Sequence, residues 1–421
     1  MSNKLWKGTP FNSSYKNVML RIIIVSFFAG MGSLGFLKFI LTSFISSLYE
    51  INLLYSHDVA YGIAEVLMGV DIFAKLLVSP LTGYLADKYG RRKLVVIGTS
   101  YGIIAALSFI WAALFGTAIA IISGVIAGII ILGFETGQVN TTITISSGDV
   151  GEEYNKIGLS ETIWNVALIG GMIVGVLIMF IMDLTYVQSL FFALISFIIC
   201  GIVAFLLYKE TLQPIGENVK PIDDKIAIKS YKDILKERNF IPLFAFSFVV
   251  EAEETGFVFC ILPGLLTSMG YVSSEIPLLA GLPAYLSLGI FFIPLGYLSD
   301  KYGRRNISLI GSFSSMILFI VLYFLQSFVA LLIIGFFIGI SVCCYRLPIM
   351  SSISDFTTRQ KRGLPYGILR AFREVGGAVT PIIFGFMTLL GVDFYNLLLI
   401  MAGMIGIAFI IALIMFKETK R

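Results

Sequence analysis

Twelve apolar runs divide this chain, covering residues 18–46, 59–85, 93–115, 117–146, 157–182, 187–208, 239–264, 277–298, 306–326, 329–353, 363–390 and 393–416. Each approaches or exceeds the roughly 20 residues a helix needs to cross a hydrocarbon core. The pattern predicts an all-α membrane protein with twelve transmembrane helices. The first run is too long for the core of a cleavable leader and reads as a retained spanning helix. The longest polar stretch, 209–238, separates six runs from six. It divides the chain into an N-terminal six-helix bundle (1–208), a linker (209–238) and a C-terminal six-helix bundle (239–421). The basic positions Lys225, Lys229, Lys232, Lys236 and Arg238 fit either a short amphipathic helix on the membrane surface or a flexible connection.

Composition agrees with this reading. Of 421 residues, 57% are hydrophobic and 13% charged, with a mean hydropathy of +0.93. A soluble surface needs far more charge. The net charge of +4 is too small to point to nucleic acid. Its distribution says more. Lys4, Lys7, Lys16 and Arg21 precede or open the first run, and Lys417, Lys420 and Arg421 follow the last. The same side receives Lys88 to Lys93, Lys156, the linker, Lys301 to Arg305, and Arg359 to Arg362, while the opposite loops hold no Lys or Arg. That asymmetry predicts a multi-pass protein of the cell (plasma or inner) membrane with both termini cytoplasmic. Cys200, Cys260, Cys343 and Cys344 lie inside apolar runs and lack metal-ligand spacing, so no metal and no cofactor is expected. His57 reads as a solvated loop residue rather than a pH sensor.

The two halves echo each other. Gly83-Tyr-Leu-Ala-Asp87-Lys-Tyr-Gly90-Arg91-Arg92 follows the second run, and Gly296-Tyr-Leu-Ser-Asp300-Lys-Tyr-Gly303-Arg304-Arg305 follows the eighth. Asp149 and Asp355 close the fourth and tenth runs. Lys209-Glu210-Thr211 and Lys417-Glu418-Thr419 close the sixth and twelfth. With the doubled Gly-Arg-Arg element, essentially the whole chain resembles the major facilitator superfamily, nearest to its sugar-porter and metabolite–proton symporter branches. The resemblance implies two six-helix bundles around a central cavity and alternating access by a rocking motion. It also implies a cytoplasmic gate. Glycines at the ends of the element let a tight loop pass a neighbouring helix. Asp87 and Asp300 face a helix N-terminus, and Arg91 and Arg304 pair with Asp149 and Asp355. Arg92 and Arg305 complete the set.

Charges inside the runs are costly at bilayer depth and therefore informative. Asp71 and Lys75 are one helical turn apart, as are Arg370 and Glu374, with Arg373 beside them; each group can form structural ion pairs. Glu251 and Glu254 share a face, and two such carboxylates cannot both ionise cheaply. Glu135 has no basic neighbour one turn away. Glu135, Glu254, Glu251 and Asp71 are therefore the proton-coupling candidates. In the superfamily, helices 1, 4, 7 and 10 line the cavity. The resemblance thus places Lys38, Glu135, the helix 7 glutamates and Arg346 on the solute path. Among the abundant aromatic residues, Tyr345, Tyr285 and Trp164 are separate candidates for solute contact.

These features predict a proton-coupled symporter of a small charged or zwitterionic organic solute. Its partners would be the solute, protons and the lipid bilayer, and it would act as a monomer. A proton-driven exporter of cationic or amphipathic compounds is the alternative in the same class, and a non-transporting membrane sensor the alternative outside it. The run Glu251-Ala-Glu253-Glu254 replaces the paired glutamines of sugar porters, which argues against sugar. Helix 5 carries Gly170-Gly171 and Gly175 without the proline of drug–proton antiporters, and these glycines suit close helix packing. No His, Ser–His or metal-ligand cluster supports an enzyme.

Overall fold

The computed structural model describes residues 15–153, 157–211, 238–271, 276–356 and 363–419. Residues 212–237 of the linker lie outside them, and with them the expected surface helix, as do Lys156, Arg359, Lys361 and Arg362. Among the described residues there are twelve helices. α1 runs as Tyr15–Ala29, a π-helical stretch Gly30–Lys38, and Phe39–Leu53. It is followed by α2 (His57–Tyr89), α3 (Arg91–Phe115), α4 (Ala118–Glu153), α5 (Ile157–Ile181) and α6 (Tyr186–Leu207). α7 repeats the plan of α1, with Phe240–Ala252, a π-helical stretch Glu253–Ile261, and Leu262–Ser268. Then come α8 (Ile276–Tyr302), α9 (Arg304–Leu325), α10 (Phe328–Phe356), α11 (Gly363–Leu389) and α12 (Phe394–Met415).

The chain forms two compact units. One takes in Met1–Ala60, Val70–Gly216 and Ser273–Leu278; the other takes in Tyr61–Gly69, Glu217–Val272 and Leu279–Arg421. Packing inside them is parallel in plan. α3 packs along α4 and α6 in the first, and α9 along α10 and α12 in the second; α1 packs on α5, and α7 on α11. The α1–α5 and α7–α11 seams are backbone contacts. A Cβ at Gly171 would stand 1.8 Å from the carbonyl oxygen of Phe27, and one at Gly376 would stand 2.1 Å from that of Phe248. In lipid, where burying apolar side chains gains little, such close van der Waals approach is a main source of helix association. Gly170, by contrast, has open space about it.

Eight helices hold a long apolar window with few charges, by length and composition enough to cross a membrane. Of the other four, α2, α7 and α11 each carry several charges, buried or half-buried, and α8 contains Pro283 and Pro294. The chain is a multi-pass membrane protein. The exposed surface is rich in large apolar side chains such as Ile119, Phe205, Phe324 and Ile414. The four cysteines are free and buried. His57 opens α2, where its Nδ1 lies 2.8 Å from Glu50 Oε1 at the end of α1.

Candidate solute and proton site

The first charged cluster begins where the π-helical stretch of α1 ends. The Phe39 N–H reaches back to the Leu34 carbonyl, the i→i+5 spacing of a π turn. The stretch closes on Lys38, whose Nζ lies 2.6 Å from Asp71 Oδ2 on α2, with both side chains sealed from solvent. α4 comes close at Gly133, where a Cβ would stand 2.3 Å from the Asp71 carbonyl oxygen. Two residues on, Glu135 is 1% exposed. Its Oε2 makes no hydrogen bond, and the carboxyl lies within electrostatic reach of Lys38 and Asp71. The spacing along α2 offered Asp71 a partner in Lys75; the ion pair seen at Asp71 is with Lys38, on another helix. Lys75 is buried as well.

The second cluster gathers on α7, α10 and α11. Arg373 Nε reaches Glu251 Oε2, and its Nη2 lies 3.4 Å from Glu254 Oε2. Arg346 Nη1 lies 3.1 Å from the same Glu254 oxygen. The Tyr285 hydroxyl donates to Glu254 Oε1 at 3.0 Å. The conflict expected between Glu251 and Glu254 is thus met by two guanidinium groups rather than by carboxyl proximity alone. Arg370 lies 3.9 Å from Glu374, one turn along α11. Arg346 and Glu254 keep 15% and 18% of their side-chain surface, so both remain reachable. Beside Glu254 and Tyr285 lies a cavity of about 30 Å³ walled by Phe257, Val258, Leu288 and Ile338, enough for a water or two.

Two aromatic residues serve packing. Tyr345 is fully buried and hands its hydroxyl to Glu253, which also accepts from Ser315 Oγ of α9 at 3.1 Å. Trp164 is 6% exposed and sits in an apolar cluster with Val18, Ile22, Val139 and Tyr208. Both are sealed in packing contacts in this structure. Glu253 carries no signal in the sequence beyond its two neighbours, because only its partners on α9 and α10 set it apart.

The basic end of each unit is organised by a carboxylate that the repeats alone did not assign. Glu210, just past α6, accepts from the N–H groups of Arg91 at 2.9 Å and Arg92 at 3.2 Å, capping α3. Glu418, just past α12, does the same for Arg304 at 2.9 Å and Arg305 at 3.1 Å, capping α9. The second arginine of each pair answers in kind. Arg92 Nη2 reaches the Phe205 carbonyl, and Arg305 reaches those of Phe416 and Leu413, at the C-termini of α6 and α12. Each helix pair is therefore capped reciprocally, with negative charge at an N-terminus and positive at a C-terminus. Arg91 Nε also lies 3.2 Å from Asp149 Oδ2, which accepts from Thr211 Oγ1 at 3.1 Å.

Only one glycine of each element makes a turn. Gly90 (φ +94°) and Gly303 (φ +96°) adopt a backbone that side chains avoid. A Cβ there would meet Glu210 Oε2 at 2.3 Å or Glu418 Oε2 at 2.5 Å. Gly83 has open space and Gly296 barely touches a neighbour. The expected loop between them is helix, because α2 and α8 continue to Tyr89 and Tyr302. The side chains of Asp87, Asp300 and Asp355 lie outside the described residues.

Comparison with known proteins agrees with the fold. A multidrug resistance efflux pump, PmrA of Streptococcus pneumoniae serotype 4, is 25% identical over 336 residues, 77% of this chain and 79% of its own. The multidrug resistance protein MdtG of Dickeya zeae is 23% identical over 351 residues, 80% of this chain and 81% of its own. Among solved structures, a D-xylose–proton symporter superposes with a TM-score of 0.75 at 14% identity, over 96% of this chain and 99% of that one. The nucleoside transporter NupG superposes at 0.69 and 15% identity, over 96% and 100%. The model of the Major Facilitator Superfamily matches residues 31–285 and 254–421. With its twelve helices and charged helix junctions, the chain belongs to the Major Facilitator Superfamily of membrane transporters.

Proposed function

We propose that the protein is a proton-driven exporter of small organic solutes with cationic or amphipathic character, working by alternating access. The carrying observation is Glu135, a buried carboxyl with one unpartnered oxygen beside the Lys38–Asp71 pair. A proton arriving on Glu135 weakens the hold on Lys38, and its departure restores it. A group balanced in this way converts proton occupancy into a change of local charge. The direction of transport is supported by the relatives, which are described as multidrug efflux pumps or resistance proteins. Two halves, 1–208 and 239–421, would rock about the linker, with both termini in the cytoplasm and the protein in the cell membrane as a monomer.

Proton symport of a zwitterionic solute is the second reading. It draws support from Arg346 and Arg373 standing beside Glu251 and Glu254, which could meet a carboxylate and an ammonium at once.

Proteoliposomes separate the two once a ligand has been found by thermal shift across organic cations, amino acids and organic acids. Accumulation into vesicles with an acidic lumen signifies antiport. Accumulation into vesicles with an alkaline lumen signifies symport. Accumulation in neither sinks proton coupling. Glu135→Gln is expected to abolish gradient-driven accumulation while leaving solute exchange.

A further inference from the structure

Within the second compact unit, the segment Tyr61–Gly69 of α2 lies against α11 and α7. A Cβ at Gly62 would stand 2.9 Å from the Gly385 carbonyl oxygen, and one at Gly69 would stand 2.7 Å from that of Ala378. These two glycines lie about one turn to either side of Glu65, so the backbones touch above and below it. Glu65 itself is 0% exposed. Thr388 Oγ1 of α11 donates to its Oε2 at 2.8 Å, while its Oε1 makes no hydrogen bond.

Among the described residues no cation pairs with Glu65. On its own helix the nearest, Lys75, is ten residues on, about 15 Å along the axis. The titratable groups around it are the Cys260 thiol of α7 and the Tyr61 phenol one turn earlier, which is held by Thr267 Oγ1 at 2.6 Å. An ionised carboxylate sealed without a cation costs several kcal/mol, so the group packs as a neutral acid. It could ionise only where water reaches it, which requires the seam to part. Proton occupancy and closure of the seam are therefore linked.

We propose that Glu65 is a proton-binding site of the transport cycle, separate from Glu135. It holds a proton while Tyr61–Gly69 is seated on α11 and yields it to water when the seam parts. In that step the carboxyl O–H bond breaks, water takes the proton, and a hydrated carboxylate remains. The inference rests on the proton-coupled reading above.

Cys260 supplies a native probe. In full-length protein in lipid nanodiscs, with Cys200, Cys343 and Cys344 replaced by alanine, a small maleimide reports parting of the seam. Alkylation at alkaline pH should be at least tenfold slower in Glu65→Gln than in the parent. Infrared titration should show a carboxylic acid band that disappears on alkalinisation in the parent and is missing in Glu65→Gln. Thr388→Val, which keeps the carboxyl, should shift the pH of that loss. Equal alkylation rates in parent and Glu65→Gln, or an acid band unchanged with pH, would overturn the proposal and leave Glu65 a fixed neutral packing group. Failure of the underlying reading looks different: the Cys260 response persists while pH gradients drive no solute in proteoliposomes.

Discussion

Lys38 on α1 and Asp71 on α2 form a 2.6 Å ion pair with 5% and 0% of their side chains exposed. Removing one partner strands the other charge in a dry setting, at a cost of about 3–5 kcal/mol. Asp71→Leu should therefore lower Tm sharply in detergent. Adding Lys38→Met should recover most of that loss, because the double variant leaves no orphaned charge. Both should lose gradient-driven transport. A double variant no more stable than Asp71→Leu would show that the pair is not what holds these groups.

Glu210 and Glu418 cap α3 and α9 from the ends of α6 and α12. Replacing either with Ala should cost about 1–2 kcal/mol, the upper range for a lost helix cap. Gly90→Ala should cost more, since it combines a disfavoured backbone at φ +94° with a Cβ 2.3 Å from Glu210 Oε2. Combining it with Glu210→Ala should relieve the collision but not the backbone penalty. Thermal melts of the three variants test that order, and Gly303→Ala with Glu418→Ala should reproduce it in the other half.

Arg373 touches both Glu251 and Glu254. A lysine carries the charge but not the planar fork, so Arg373→Lys should release one of the two carboxylates. At least tenfold weaker ligand binding is expected, read by titration in nanodiscs. Unchanged affinity would remove Arg373 from the solute site.

Tyr345 gives the opposite expectation. Its hydroxyl ends on Glu253, deep between α7, α9 and α10, with no exposed surface. Tyr345→Phe leaves a buried carboxyl short of a donor and should cost about 1–3 kcal/mol. Ligand affinity should stay within twofold. A larger change in affinity would return Tyr345 to the solute path.

Much of this architecture is written along one dimension. Runs of apolar residues mark the helices, because lipid forces each span to satisfy its own backbone. The doubled Gly-Arg-Arg element marks the family. Charges inside the runs mark where chemistry gathers, because their cost at that depth demands a partner. The choice of partner is not written there. Asp71 has Lys75 one turn away yet pairs with Lys38, since the tertiary approach of α1, which the spacing along α2 does not encode, decides which amine arrives. The Lys-Glu-Thr echo was visible, but its purpose depends on α6 ending beside the start of α3. Nothing in Gly30–Lys38 or Glu253–Ile261 announces a π-helical winding, which packing against neighbours has to sustain.

Those two windings carry a consequence of their own. A π turn holds one more residue than an α turn, and the two interconvert by sliding a single hydrogen-bond register. Rewinding Gly30–Lys38 as α-helix would swing the amine of Lys38 around the rod by about 100°, the angle of one helical residue. A slip of the backbone ladder in α1 would in this way redirect a charged side chain without bending the rod. Deleting one residue from Gly30–Lys38 should remove the extra register and leave Lys38 pointing away from Asp71.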